Sequence, residues 1–279
     1  MICLAHPSDR PGMTALWQEA FGDPQEYIDL FFDNRMQWQN TLLYKEGDVV
    51  AGQLFILSCQ LSTPGKSYSC GYIYSVATRK TFRGQGIGTR LLEAAHQLLR
   101  ERGFDLAVLA PAGTSLFDFY GNRGYIPQGY IRREVIEASH LRTQDKELLL
   151  SPISPQEILE LRQQYYGNAF LRWDEDGIRY IVKENHFLGG QFYGFSLDGQ
   201  RGFAACVPYE DKLFIKELAC PDSKIEQVIG KLHALYNKNQ YILWLSNTSR
   251  HGEETALAMC HWLKEPAWTE HFYISHILD

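Results

Sequence analysis

The sequence predicts an α+β fold: a mixed, largely antiparallel central sheet flanked by helices, present once clearly and a second time in weaker form. Three observations predict it. An apolar strand-like run, residues 73–77, meets a helix-like run across a glycine-rich turn at 83–88. The first half reads in order as strand, helix, helix, three antiparallel strands, helix, strand, helix, strands. The second half repeats much of that order at an offset of roughly 135 to 150 residues, which drifts with loop length as an old duplication would.

The elements follow from local pattern. A short first strand precedes helices at 11–20 and 24–34, whose apolar positions Leu16, Trp17, Tyr27, Ile28, Phe31 and Phe32 recur at helical spacing. Residues 41–44 and 49–57 flank the turn Glu46-Gly47-Asp48, and a longer hairpin through Thr63-Pro64-Gly65 returns the chain to the strand that feeds the glycine turn. A helix over 86–102 keeps Ile87, Leu91, Ala95 and Leu98 on one stripe and places Arg100 and Arg102 at its negative end. Gly103 stops it, and 105–110 reads as a buried strand.

The turn itself is Arg83-Gly84-Gln85-Gly86-Ile87-Gly88. A strand that delivers the chain into a glycine turn at a helix start leaves main-chain NH groups unpaired, with the positive end of the helix dipole behind them, and this suits a phosphate. A Cβ at Gly84, Gly86 or Gly88 would hold a diphosphate away or oppose positive φ, and Arg83 adds a charge-assisted contact. A P-loop would need a lysine after Gly88, and the dinucleotide fingerprint a third glycine at position 89. Thr89 stands there instead.

Downstream comes Phe119-Tyr120-Gly121-Asn122-Arg123-Gly124-Tyr125. Arg-x-x-Gly-x-Gly after a strand, followed at this distance by Phe-Tyr-x-x-x-Gly-Tyr, resembles the GNAT superfamily of N-acetyltransferases over about the first half of the chain. The resemblance implies the acyl-CoA N-acyltransferase fold and acetyl-CoA as co-substrate. It implies Tyr120 as general acid, its hydroxyl near the thioester sulfur, and a strand at 73–78 whose backbone pairs with the pantetheine arm. The cofactor-binding set it carries over is Val76, Ala77, Thr78, Arg83, Gly84, Gln85, Gly86, Ile87, Gly88, Thr89 and Ser115. A strand-end NH near Val76 or Ala77 would polarise the thioester carbonyl. Glu26 and Asp33, with Asp29 between them, lie on the second helix, where that fold commonly lines the acceptor site, and stand as candidates for the base; a solvated helix face is the other reading of the same pattern. Arg123 meets either a CoA phosphate or solvent. Tyr44, Tyr68, Tyr72 and Tyr74 line an aromatic acceptor pocket or simply pack on half-buried strands.

Beyond residue 138 the chain turns polar through 139–146, which places a boundary there: a GNAT domain at 1–138 and a degenerate GNAT-like domain at 139–279. In the second part helices are expected near 155–165 and 173–187, a hairpin through Leu197-Asp198-Gly199-Gln200, a strand at 212–219, a helix at 225–236, a strand at 241–245, a helix at 254–263 and a final strand at 268–277. Cys220-Pro221-Asp222-Ser223-Lys224 replaces the glycine turn, and Asp222 is expected to cap the following helix and repel a phosphate. Tandem GNAT proteins with one degenerate half include mycothiol synthase. The arrangement with an active N-terminal half resembles the enhanced-intracellular-survival acetyltransferases, without the sterol-carrier-like domain those usually add. In such relatives the C-terminal carboxylate reaches the active site, which makes Asp279 a further candidate.

Composition agrees with an ordinary enzyme: a chain of 279 residues, 45% hydrophobic and 22% charged, can bury one large core or two modest ones, length favours two domains, and the formal net charge is −6. The negative charge argues against a general nucleic-acid binder and mildly favours a cationic acceptor. Neither a signal peptide nor a membrane span is expected, so the cytoplasm is the anticipated compartment. The six cysteines lack zinc or redox spacing, Cys59 and Cys70 facing each other across a hairpin at most, and no metal site is expected. The expected function is transfer of acetyl from acetyl-CoA to a primary amine of a small molecule or protein by direct attack. A non-catalytic acyl-CoA-binding module is the alternative, against which the retained Tyr120 weighs; a larger acyl or aminoacyl donor is a third reading, against which the intact phosphate loop weighs.

Overall fold

The structure is a computed structural model that describes residues 1–141, 148–167, 169–266 and 268–276. Most of the anticipated boundary segment, and Asp279, lie outside the described residues.

The first half supplies β1 (Ile2–Leu4), α1 (Arg10–Phe21), α2 (Gln25–Asn34), β2 (Thr41–Glu46), β3 (Val49–Thr63), β4 (Lys66–Thr78), α3 (Ile87–Glu101), β5 (Leu106–Leu109), α4 (Thr114–Gly121) and β6 (Ile126–Glu137). The second supplies β7 (Ser151–Pro152), α5 (Pro155–Tyr165), β8 (Phe170–Arg172), α6 (Glu175–Phe187), β9 (Gln191–Leu197), β10 (Gln200–Tyr209), β11 (Lys212–Ala219), α7 (Ile225–Tyr236), β12 (Gln240–Leu245), β13 (Glu253–Trp262) and β14 (Phe272–Tyr273). Local chemistry sets several ends: Gly22 closes α1 at φ 78°, and Ser154 with Glu157 forms a capping box at the start of α5. None of the described helices is long and apolar enough to cross a membrane.

All described strands join one sheet, in the order β1-β2-β3-β4-β5-β13-β6-β12-β11-β10-β9-β7, with β14 and β8 branching from it. Pairing is antiparallel except for β4 with β5, β11 with β12, and the two contacts of β14. Read from either end, each half lays down its strands towards the centre and then exchanges one: β13 enters beside β5, and β6 runs beside β12. The helix expected at 254–263 is therefore strand β13. Its Glu, Ala, Leu and Met favour a helix in isolation, but the slot between β5 and β6 satisfies its backbone on both edges, and Ala258, Met259 and Cys260 are buried in succession because both faces are covered.

Three cores result. The largest joins α1, α2, α5 and α6 to residues of both halves, with Trp17, Phe31, Tyr72 and Trp173 fully buried. A second lies under α3, which buries Ile87, Leu91, Ala95 and Leu99 rather than Leu98. Two glycines let this helix approach: a Cβ at Gly52 would stand 2.7 Å from Ile87 Cγ2, and one at Gly71 2.5 Å from Leu99 Cδ2. The third packs α7 on β10 to β12. Cys59 and Cys70 are register partners across the β3–β4 hairpin, buried and both free thiols.

Asp105 fastens the exchanged strand. It accepts from Ser69 N (2.8 Å) and Ser69 Oγ (2.9 Å) on β4 and pairs with Lys264 Nζ (2.7 Å), two residues past β13. Burial alone would raise its pKa, but Lys264 and the Ser69 bonds outweigh it and hold the carboxyl below its ordinary value. A depressed folded pKa stabilises above the unfolded value, about 4, and that contribution disappears as pH falls through the folded value. Asp105→Asn is accordingly expected to cost about 1–2 kcal/mol at neutral pH, with the gap to the parent closing in urea titrations run at successively lower pH. A gap that stays constant would show that the carboxylate charge is not its source.

Candidate active site

Two adjacent strands part to make the site. β4 and β5 pair only as far as Tyr72 opposite Val108, although β4 continues to Thr78. The departure coincides with a bulge: Gln53 faces Ala77 and Phe55 faces Tyr74, so Ser75 and Val76 together oppose the single residue Leu54. Ser75 takes φ 50°, unusual for a residue with a side chain. The edge of β4 turned from β5 thus has backbone groups to offer a ligand.

A cavity of about 590 Å³ opens between the parted strands. Ile73 to Val76 line it from β4, and Leu109 to Ala112 from the end of β5. Trp17, Tyr27, Tyr72 and Tyr74 form an aromatic wall, with Phe21 and Phe187 half-exposed at the mouth. Tyr120 reaches it from α4, 8% exposed, and burial pushes its hydroxyl up to about 12, the Arg123 guanidinium offsetting part of the rise.

Just past the end of β4 lies the glycine turn. Gly84 and Gly86 have φ of 77° and 72°. Gly86 is the N-cap of α3, whose start carries no side-chain cap and no acidic residue in its first turn, so its leading NH groups have no intrahelical partner. A Cβ at Gly84 or Gly86 would meet nothing of the protein within 4 Å, and one at Gly88 only Phe119 and Thr78 at 3.8 and 3.9 Å. The turn is a shallow open cradle of main-chain donors at a helix start, and a diphosphate fits it.

The remaining anticipated residues fall into place variously. Val76 lines the cavity, Ala77 is buried beside it, and Thr78 ends the strand. Arg83 donates from Nε to the Thr78 carbonyl (3.2 Å), and the Gln85 carbonyl accepts from Arg90 (3.1 Å). Ile87 anchors the helix in the core and presents only main chain. Thr89 Oγ1 accepts from Arg123 Nε (2.9 Å) and Nη2 (2.7 Å), so Arg123 ties α4 to the first turn of α3 instead of standing free in solvent. Ser115 is exposed on the first turn of α4.

Glu26 and Asp33 are not brought to this cavity. Both are exposed on α2, and Asp33 pairs with Arg10 Nη1 at 2.6 Å, as Asp29 does with Nη2 at 2.7 Å. The apolar face of that helix turns to the core, which leaves its carboxylates on the solvent side. Two carboxylates do line the cavity: Asp23, which accepts from Trp17 Nε1 at 2.7 Å, and Glu184 of α6, 7% exposed. Tyr27 and Tyr180 both donate to its Oε1, at 2.7 and 3.1 Å, and the Tyr74 hydroxyl lies 3.3 Å from that of Tyr27. Tyr72 and Tyr74 thus belong to the pocket, whereas Tyr68 packs edge-on against Trp262 and Tyr44 lies under Arg90.

In the second half β11 and β12 also part, after Ile215 opposite Leu243, but Asp222 stands at the turn. It does not cap α7, whose N-cap is Lys224. Its carboxylate accepts from Ser249 Oγ (2.9 Å) and Arg250 N (2.7 Å) of the β12–β13 loop, so this turn is filled by the chain's own acid.

The sequence model of the family described as Acetyltransferase (GNAT) domain matches residues 2–127, the segment that holds β4, the glycine turn, α3 and Tyr120. Over nearly the whole chain the structure is similar to a probable N-acyltransferase from Enterococcus faecalis V583: TM-score 0.76, 14% identity, 94% of this chain and 72% of that one. The fold is the GNAT acyltransferase fold. Eis1 from Mycobacterium abscessus shares it at TM-score 0.71 and 11% identity, covering 95% of this chain and 74% of that one. In sequence, a stretch of 130 residues is 28% identical to an aminoglycoside 2'-N-acetyltransferase from Mycolicibacterium fortuitum, spanning 44% of this chain and 64% of that protein. The GNAT-matched segment ends inside β6, so everything β13 and α6 bring to the fold and the cavity comes from beyond it.

Proposed function

We propose that the protein is an N-acetyltransferase that moves acetyl from acetyl-CoA to a primary amine by direct attack. One juxtaposition supports this above all: the free edge of β4 leads from the cavity lined by Tyr120 to the uncapped glycine start of α3, a continuous track for a thioester, its pantetheine arm and a diphosphate. Acetyl-CoA supplies the activated acyl group. The chain supplies main-chain NH groups at 84–89 for the phosphates, the β4 edge beyond Tyr72 for the arm, the Val76–Ala77 backbone for the thioester carbonyl, and Tyr120 for the departing sulfur. The amine attacks the carbonyl carbon, the C–S bond breaks, and the amine's proton passes to solvent or a base. Residues 139–279 act in this reading as a degenerate GNAT-like half that completes the acceptor wall.

Gly88→Val tests the cradle. Its Cβ would meet only ordinary contacts within the protein, so the melting temperature should stay within about 3 °C. The added methyl groups occupy the space a phosphate needs, and calorimetry should show acetyl-CoA affinity falling about tenfold or more. Unchanged affinity would move the diphosphate elsewhere; no acetyl-CoA binding by the parent protein would end the assignment.

A further inference from the structure

Resting on the acyl-transfer reading above, we infer that His261 of β13 is a positioning residue for Tyr120, clamping from behind the turn that carries its hydroxyl to the departing sulfur. Helix α4 needs such a hold. It is eight residues long, and Tyr120, in its last turn, is its only buried residue. What fixes Tyr120 is the turn that follows: the Arg123 and Tyr125 NH groups donate to its carbonyl at 2.9 and 3.2 Å, and the Tyr125 ring packs edge-on against its own at a centroid distance of 5.7 Å. A hydroxyl that serves one atom of a bound thioester must be held to within about 1 Å, so whatever anchors this turn bears on the reaction.

Both anchors of the turn lead to His261. Its Nδ1 donates to the Gly124 carbonyl (3.1 Å), and its ring lies flat on that of His96, with centroids 4.2 Å apart and planes 2° from parallel. His96 in turn shares a hydrogen bond of 2.7 Å with the Tyr125 hydroxyl. The fit requires a glycine at 124: φ is 80° there, and a Cβ would stand 2.9 Å from His261 Nδ1, so the imidazole takes the room of the missing side chain. A carbonyl only accepts, so Nδ1 carries the proton and Nε2 is the bare nitrogen that faces Arg100 Nη2 at 3.5 Å. Burial holds the His261 pKa below its ordinary value, the Gly124 bond opposing and Arg100 adding to the effect, and the neutral ring's single proton is the one given to Gly124. Strand β13 lies outside the GNAT-matched segment, so the half without the glycine turn holds the candidate donor in place.

The test observes Tyr120 itself. In protein isotopically labelled at tyrosine Cζ, the Tyr120 resonance is the one missing from Tyr120→Phe, and CoA should shift it more than desulfo-CoA, which lacks the thiol. His261→Phe keeps a ring on His96 but gives Gly124 no donor: the thiol-dependent part of the shift, read at saturating ligand, should fall by about half or more, with CoA affinity in the calorimeter unchanged. His261→Asn, whose amide reaches the Nδ1 position, should restore it. Lower stability alone does not move the shift of a saturated, folded protein. If the Phe variant fails to bind CoA, His261→Gln, whose amide extends to the Nε2 position instead, takes its place with the same expected loss. A thiol-dependent shift equal in all His261 variants, or one lost in Phe and not restored by Asn, would overturn the inference and leave the cofactor reading standing. A Tyr120 resonance indifferent to the thiol in the parent would overturn it by removing Tyr120 from the sulfur, and no CoA binding by the parent would sink the acyl-transfer reading and the inference with it.

Discussion

Replacing Tyr120 by Phe is expected to cut turnover by about 10² to 10⁴ while acetyl-CoA binds as before. Only the hydroxyl is lost: the ring keeps its edge contacts with Phe119 and Tyr125, at centroid distances of 5.1 and 5.7 Å. The size of the effect depends on how this hydroxyl serves a departing thiolate. With burial pushing it up to about 12, complete proton transfer to a thiol of ordinary pKa, near 8.5, runs uphill by roughly 5 kcal/mol. A full transfer ahead of bond breaking is therefore a poor route. Donating a hydrogen bond to sulfur as charge develops costs no such ionisation, and the low-polarity surroundings that raise the pKa strengthen that bond. The pH profile should carry the same signature: kcat/KM rises as the amine loses its proton and shows no falling limb below about pH 11, because Tyr120 remains a donor throughout. Undiminished turnover in the Phe variant would remove Tyr120 from the reaction, and a falling limb near pH 9 that the variant lacks would show a far more acidic phenol than this burial allows.

How legible this site was in the sequence depends on distance along the chain. Strand β4, the glycine turn and α3 are consecutive, and each has a local cause: positive φ at Gly84 and Gly86, a period-3.6 stripe on α3, a strand feeding the turn. The matching expectations for β11, α7 and the turn at Asp198-Gly199 rest on the same kind of signal and meet the same elements in the structure. Glu184 has no local cause. It reads as one more acid on an amphipathic helix, and it becomes a cavity residue only because α6 packs beside α2 and sets it against Tyr27, 157 positions away. The acids of α2 stood as candidate bases because the second helix commonly lines the acceptor site in the resembled fold, yet the aromatic face of that helix is needed in the core and turns them outward. Asp222 misled in a similar way: an acid just before a helix reads as a cap, and its partners, Ser249 and Arg250, come from a loop that only the folded sheet brings near. Strand β13 is the clearest case of tertiary structure overriding propensity, since nothing within residues 253–262 announces the slot they fill.

That slot sets the other large expectation: residues 1–138 alone should not fold, although they contain the whole GNAT-matched segment. Without β13 the buried strand Leu106–Leu109 would present an unpaired edge, and β6 would lose its partners β13, β12 and β14. The losses extend to side chains. Met259 leaves the core under α3, His261 no longer stacks on His96 at 4.2 Å, Trp262 withdraws its Nε1 donor from Gln128 (3.2 Å), and Asp105 loses Lys264. Each term is of the order of 1 kcal/mol or more, against a total stability of only about 5–15 kcal/mol for a typical domain. The isolated segment should therefore show no cooperative thermal transition and no protected amides in β5 by hydrogen exchange. Adding residues 139–279 as a separate chain should restore both, because the exchanged strands need spatial partners and not a covalent link. A milder perturbation in the intact chain points the same way: a Cβ at Gly129 would stand 2.7 Å from that of Ala258, so Gly129→Val should wedge β6 from β13 and cost about 1–3 kcal/mol. A well-folded 1–138 segment that binds acetyl-CoA unaided would show that the strand exchange is dispensable and that the first half closes its sheet by itself.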